Sequence, residues 1–319
     1  MTNNLELPQQ QMEQTPVVVP LFSLFVGVCI LSGAAILIRL SEQELGPNAT
    51  IFNRLWIAAV ALWLWYGIKA VGQRLSQDSL GLQETYTITV RDIVLLLVDG
   101  IVGSACLVTW AWSLTQTSVA NSNLLHNVTP IFAALGGWLF FRHYYDGRFI
   151  IGITLAWLGA SFIGIEDWQV ATNNFIGDAV ALLSAVLNAG HYLIREKLRA
   201  KLPTASILRW YCLFGSLLVL PFALITEEKL FPSSVSGWLA VISLGILCSI
   251  IGQGIITHYL KRFSAGFVTL FLLLEPLLTA ILAWLIFYEW LSPLNWLAFF
   301  LVLAGIYLAK SSQGTEKST

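Results

Sequence analysis

The chain has 319 residues, of which 57% are hydrophobic and 11% charged, with a formal net charge of −1 and a mean hydropathy of +0.75. A soluble domain carries roughly 25% charged residues, so this composition excludes one and points to an integral membrane protein. The near-neutral balance also argues against a nucleic-acid partner.

Residues 1–17 form a polar tail with two Glu and no Lys or Arg over MTNNLELPQQQMEQTP. That is neither a signal peptide nor a transit peptide, so the first apolar run is expected to stay in the protein. Runs long enough to span a bilayer follow at about 18–39, 50–70, 93–114, 118–141, 148–165, 177–194, 206–225, 236–258, 265–288 and 293–310. Each approaches the ~20 apolar residues that cross a hydrocarbon core, and none shows the alternation of a barrel strand. The expected fold is all-α, with ten transmembrane helices. The longest connections are 71–92 and 195–205, and residues 311–319 form a short tail. The four cysteines (Cys29, Cys106, Cys212, Cys248) lie in apolar runs and read as small core residues.

Basic residues orient the spans. With a cytoplasmic N-terminus, fourteen Lys and Arg fall on the cytoplasmic side, among them Arg195, Arg199 and Arg209, and only Arg39, Arg54 and Lys229 fall opposite. Both termini are therefore expected in the cytoplasm.

The chain repeats itself. Within the stretches 124–164 and 272–309 a constant offset of 146 pairs Pro130 with Pro276, Trp138 with Trp284, His143 with Glu289 and Gly159 with Gly305. Earlier helices match more loosely, as Arg54 with Arg209. The expected halves are 18–165 and 177–310. Five helices is an odd number, so the second half starts on the other side of the membrane and the repeats are inverted. Inverted repeats with matched proline-interrupted helices point to a secondary transporter whose site lies between the halves near the midplane.

The stretch WAWSLTQTSVANSNLLHNVTPIFAALGGWLFF and its second-half counterpart THYLKRFSAGFVTLFLLLEPLLTAILAWLIFYEW resemble the EamA-type, ten-helix members of the drug/metabolite transporter superfamily. The resemblance covers almost the whole chain. It implies a plasma-membrane or bacterial inner-membrane carrier, mostly an exporter of amino acids and other small metabolites, with a central cavity between two bundles. The family places a Glu at the end of helices 4 and 9 and an Arg in helix 2. Arg54 and Glu289 match, whereas Arg142-His143 stands where the first Glu belongs.

Within the span at 265–288, Glu275 and Pro276 interrupt an otherwise apolar run. Pro130 and Pro276 each free a carbonyl one turn back, that of His126 and of Leu272, and are expected to kink their helices at the cavity. A kink without function is the alternative. Glu275 reads either as a protonatable cavity group, binding a cation or carrying a coupling proton, or as a neutral carboxyl satisfying the disturbed backbone. Its repeat counterpart, Thr129, cannot ionise.

Asn123, His126, Asn127 and Pro130 follow an i, i+3, i+4, i+7 pattern and share one helix face. Asn188 and His191 form a shorter stripe. Trp110, Gln253, Thr257 and His258 complete the expected substrate cavity. The histidines lack HxxxH or HExxH spacing, so a hydrogen-bonding role is expected, and neither metal nor cofactor. Arg54 reads as a partner for an anionic substrate group, or as a side chain snorkelling from a helix end. Asp99 is deeper, placed to pair with a helix-end Arg or to face water. Tryptophans near helix ends (Trp56, Trp65, Trp168, Trp238, Trp290, Trp296) fit an interfacial belt. Gly152, Ala156 and Ala160 have the spacing of close helix packing.

No GxxxxGK[ST] loop occurs, so direct ATP coupling is not expected. The expected function is secondary transport of amino acids or similar small metabolites, outward and by alternating access, in a functional monomer. Uptake of a nucleotide-linked or phosphorylated metabolite would need a strongly basic cavity, for which only Arg54 and Arg209 stand out. A sensor usually carries an output domain and an enzyme needs a nucleophile–base or metal constellation; the sequence displays neither.

Overall fold

The structure is a computed structural model and describes residues 18–75, 88–117, 119–165, 175–287 and 293–312. Helices occupy all ten expected runs. They are α1 (Val18–Ser41), α2 (Pro47–Leu75), α3 (Val90–Gln116), α4 (Val119–His126 and Thr129–Phe141) and α5 (Gly147–Ile165) in the first half. The second half has α6 (Phe175–Arg199), α7 (Thr204–Thr226), α8 (Val235–Tyr259), α9 (Ala265–Phe271 and Leu274–Phe287) and α10 (Pro293–Lys310). Eight of them are long and apolar enough to cross a bilayer, and α5 and α10 contribute shorter apolar stretches at Gly147–Phe162 and Trp296–Lys310.

Local chemistry sets many of the boundaries. Thr89 and Asp92 form a capping box at the start of α3. Ser234 caps α8 and Ser264 caps α9, each hydroxyl accepting an amide three residues on. Arg142, at φ 56°, closes α4 in the left-handed conformation.

The helices pair across the halves as a twofold requires. α2 packs on α7, α4 on α9 and α5 on α10, each on its repeat counterpart. The contact of α3 with α6 maps onto that of α8 with α1. The α5–α10 contact is the closest. A Cβ on Gly152 would lie 2.6 Å from the Gly305 carbonyl oxygen, and one on Gly159 would lie 2.9 Å from that of Ala298. Small residues let two backbones meet at this distance in lipid.

The two helices with matched prolines, α4 and α9, both break where the sequence predicts. Pro130 deprives the His126 carbonyl of its helical donor, and the Thr129 hydroxyl supplies one at 2.7 Å. In α9 the Leu272 carbonyl accepts the Glu275 amide at 2.9 Å, so the backbone is satisfied without the carboxyl. One feature was not legible: Leu244–Gly252, in the middle of α8, is π-helical. Its Gly245 meets the Arg54 carbonyl and its Gly252 meets Leu31. Such a stretch re-aims the side chains along it.

The connection expected over 195–205 is largely helical, since α6 continues to Arg199. The hydropathy falls there because the helix becomes polar, and the chain turns only at 200–203.

Gly305→Leu is expected to lower stability by about 1–3 kcal/mol through overpacking at the α5–α10 contact. The measurement is thermal unfolding in detergent, with Gly67→Leu, which meets nothing within 4 Å, as the control.

Candidate functional site

Buried polar side chains gather along one side of α6. In its lower stretch Arg195 is fully buried, with its Nε 3.3 Å from Asp99 Oδ2 of α3. Its Nη1 donates to Gln253 Oε1 at 2.9 Å and to Thr257 Oγ1 at 3.1 Å, both on α8. The guanidinium lies 4.3 Å from the Tyr211 ring of α7. His191 Nδ1 stands 2.9 Å from Asp99 Oδ1, one turn before Arg195. The ring fits because residue 103 is glycine: a Cβ there would lie 2.6 Å from His191 Nδ1. A guanidinium in a membrane interior persists only with its charge paired and its donors satisfied. Arg195 Nη2 has no hydrogen-bond partner among the described residues, and Asp99 Oδ1 and His191 Nδ1 face each other as an ion-pair contact without hydrogen-bond geometry.

Gln253 continues the chain of polar groups to the Tyr192 hydroxyl, at 3.5 Å. Arg54 Nε donates to Ser249 Oγ, on the π-helical turn of α8, at 2.7 Å. Arg54 therefore points inward to α8, not outward as a snorkelling side chain would. Arg54 comes from α2 and Ser249 from α8, so both halves contribute to this contact.

A second cluster lies one to two turns further along α6. His126 Nδ1 is 2.8 Å from Ser184 Oγ. Asn188 Nδ2 reaches both His126 Nε2 and Thr129 Oγ1, at 3.4 Å each. Trp110 covers the imidazole, with 5.5 Å between ring centroids, and its own buried Nε1 has no partner among the described residues. The break in α4 thus presents His126 and Thr129 to α6.

The expected cavity residues separate accordingly. His191, Gln253, Thr257 and Asp99 converge on Arg195, and Trp110, His126 and Asn188 form the second cluster. Arg54 meets Ser249 of α8, and Glu275 is half-buried at the start of the second part of α9. Asn123 and Asn127 are half-buried on α4, and no side-chain hydrogen bond joins them to either cluster among the described residues. His258 is exposed on the outer side of α8. Glu289 lies outside the described residues. Arg195 itself was read as a loop charge, as was Arg199, although Asn188, His191, Arg195 and Arg199 stand at helical spacing on one face. With Arg195, Arg199 and Arg209 all buried, eleven basic residues remain on the side to which fourteen were assigned, against three.

Separate contacts close the bundle at each end. At one, Glu44 accepts the Ser233 and Ser234 amides at 2.8 and 3.0 Å and both their hydroxyls, and Glu227 Oε1 accepts the Asn48 amide at 2.9 Å. The serine donors hold the Glu44 carboxyl down at about 2, with Ser234 the largest contributor. A carboxylate with a depressed folded pKa contributes its stability above its unfolded pKa and loses it as pH falls toward the folded value. This clamp is therefore intact throughout the physiological range, and any pH dependence there originates elsewhere.

At the opposite end Glu196 Oε2 accepts the Ala265 amide, at the start of α9, at 2.7 Å. Its Oε1 lies 3.3 Å from His143 Nε2. Arg199 donates to the Leu202, Thr257 and His258 carbonyls. The departure at Arg142-His143 now has a physical reason: a Glu at 143 would face the Glu196 carboxylate, whereas a His is its partner.

The two-half architecture has a counterpart in known proteins. The model of the EamA-like transporter family matches residues 19–165 and again residues 175–310. The chain belongs to that family. Similar proteins include an uncharacterized transporter of Archaeoglobus fulgidus, 22% identical over 91% of this chain and 96% of its own length. The pseudopaline exporter CntI of Pseudomonas aeruginosa is 24% identical over 56% of this chain and 61% of its own. A solved structure superposes with a TM-score of 0.76 over 92% of this chain and 97% of its own, at 16% identity, which speaks for the fold alone. The protein is thus a multi-pass membrane protein of a transporter family.

Asp99→Asn is expected to cost about 3–5 kcal/mol, because it leaves the Arg195 charge buried and uncompensated. Replacing the pair together, as Asp99→Leu with Arg195→Met, should recover much of that loss. Thermal unfolding of the three purified proteins distinguishes this from a pair without structural weight, for which the single and double variants would differ little.

Proposed function

We propose that this EamA-family member is a secondary transporter that exports amino acids or similar small metabolites across the plasma membrane, or the inner membrane of a bacterium. Both termini face the cytoplasm in this reading, and the functional unit is a monomer. The observation that carries it is the contact of Arg54, from the first half, with Ser249, from the second, inside the spans, with separate contacts between the halves at either end, Glu44 to Ser233 and Ser234 at one and His143 to Glu196 at the other. Opening one clamp while the other holds gives alternating access to the space between. The name of the pseudopaline exporter supports outward transport of a small metabolite.

The chemistry of that space suits a solute with an anionic group and a hydrogen-bonding body. Arg54 supplies a charge and directional donors. Glu275 of α9 supplies an exchangeable proton, since a carboxyl in a membrane interior changes protonation at modest energetic cost when a counter-charge moves. Its counterpart Thr129 instead repairs the α4 break, so proton coupling is confined to the second half.

Counterflow in proteoliposomes with radiolabelled amino acids and other metabolites tests this. Wild type is expected to exchange at least one solute and to respond to a pH gradient. Glu275→Gln should keep exchange and lose the response. Unchanged gradient dependence in that variant removes Glu275 from coupling, and a panel in which nothing moves argues against the proposed solute class. In the same vesicles Arg54→Gln should raise the half-saturating solute concentration about tenfold or more, the scale of one charge-assisted hydrogen bond.

A further inference from the structure

The transport path leaves one concavity unexplained. A groove of about 480 Å³ lies between α1, α7 and α8, on the outside of the bundle. Phe22 and Val26 of α1 and Ile250, Ile251 and Ile255 of α8 form its apolar walls. Phe22 is 66% exposed and Ile251 42%, so its open side faces the bilayer. From Ile250 to His258 it extends along nine residues of α8, about 12 Å.

The two ends of this groove differ. The end at the α8 terminus holds His258 and Thr204. The Thr204 hydroxyl is buried without a partner among the described residues. The His258 carbonyl accepts the Lys261 amide at 3.3 Å and Arg199 Nη2 at 3.4 Å, which places both basic residues next to His258. Arg199 is committed to backbone carbonyls, whereas Lys261 stands at the turn between α8 and α9, where the chain leaves the membrane. An apolar channel that ends, at the membrane boundary, in a positive field with an available hydroxyl is complementary to an anionic amphiphile. Basic recesses between transmembrane helices are suited to lipid phosphates in this way.

We propose that this groove holds one acyl chain of an anionic phospholipid, with the lipid phosphate at the His258, Lys261 and Thr204 end. The consequence for transport follows from α8. Ile250 and Ile251 line the groove from the π-helical turn whose Ser249 faces Arg54 on the inside. A lipid seated there touches the outer side of the turn that positions the inner site. The proposal does not depend on which solute is carried.

The test is native mass spectrometry of the full-length protein, released from mild detergent after titration with phosphatidylglycerol or phosphatidylcholine of matched chain length. Wild type is expected to retain one phosphatidylglycerol with roughly fivefold preference over phosphatidylcholine, the scale of one basic residue near a lipid surface. Lys261→Gln with His258→Gln should abolish the preference while still retaining lipid, because the apolar walls remain. Ile251→Trp, which fills the groove, should lose the bound lipid of either kind. Equal retention of the two lipids by wild type overturns the anionic assignment, and unchanged retention in Ile251→Trp overturns the site. The two polar substitutions are at the protein surface, so the charge arm stands even if the tryptophan variant does not fold.

Discussion

The buried guanidinium of Arg195 is the constraint on which the centre of this protein depends. An unpaired cation inside a membrane protein is among the costliest groups a fold can hold, and here its partners come from three other helices: Asp99 of α3, Gln253 and Thr257 of α8, and the ring of Tyr211 on α7. Satisfying one side chain therefore fixes four helices relative to each other. The glycine at 103 belongs to the same constraint, since α3 must approach α6 closely enough for His191 to reach Asp99.

Around that fixed centre the two halves are related but not equivalent. The α4 and α9 breaks share their prolines and differ in the preceding residue. Thr129 turns its hydroxyl back to repair the backbone, while Glu275 leaves that repair to its own amide, so its carboxyl is not needed there. The π-helical turn of α8 deepens the asymmetry, because its counterpart α3 runs as regular helix. The result is a hydrogen-bonding cluster around His126 with Ser184, Asn188 and Thr129, and an ion-paired one around Arg195 and Asp99. The clamps at the two ends are also unlike: carboxylate-to-amide at Glu44 and Glu227, and carboxylate-to-amide reinforced by His143 and Arg199 at the other.

Much of this was legible in the sequence because the membrane leaves few choices. Apolar runs of the right length must be helices, and the constant offset of 146 residues exposes the repeat without any structure. Prolines at matching positions mark the breaks because the missing amide has the same effect in either half. The polar stripe of α4 was visible in part: His126 reaches α6, whereas Asn123 and Asn127 do not join it. Arg195 was misplaced for an equally physical reason. Hydropathy averages over a window and cannot separate a polar loop from the polar end of a helix, and only the spacing of Asn188, His191, Arg195 and Arg199 marks the helix as continuing.

By itself, then, the sequence determined that the chain is a ten-helix membrane protein of two related halves, since composition, run length and repetition are local or additive properties. The partners of its buried charges were decided only in the tertiary structure. Asp99 and Arg195 are 96 residues apart, and Arg54 and Ser249 are 195. No periodicity within a helix encodes which face meets which. That is set by glycines such as Gly103, Gly152 and Gly305, which allow particular backbones to approach, and by the need to leave no cation in lipid without a partner.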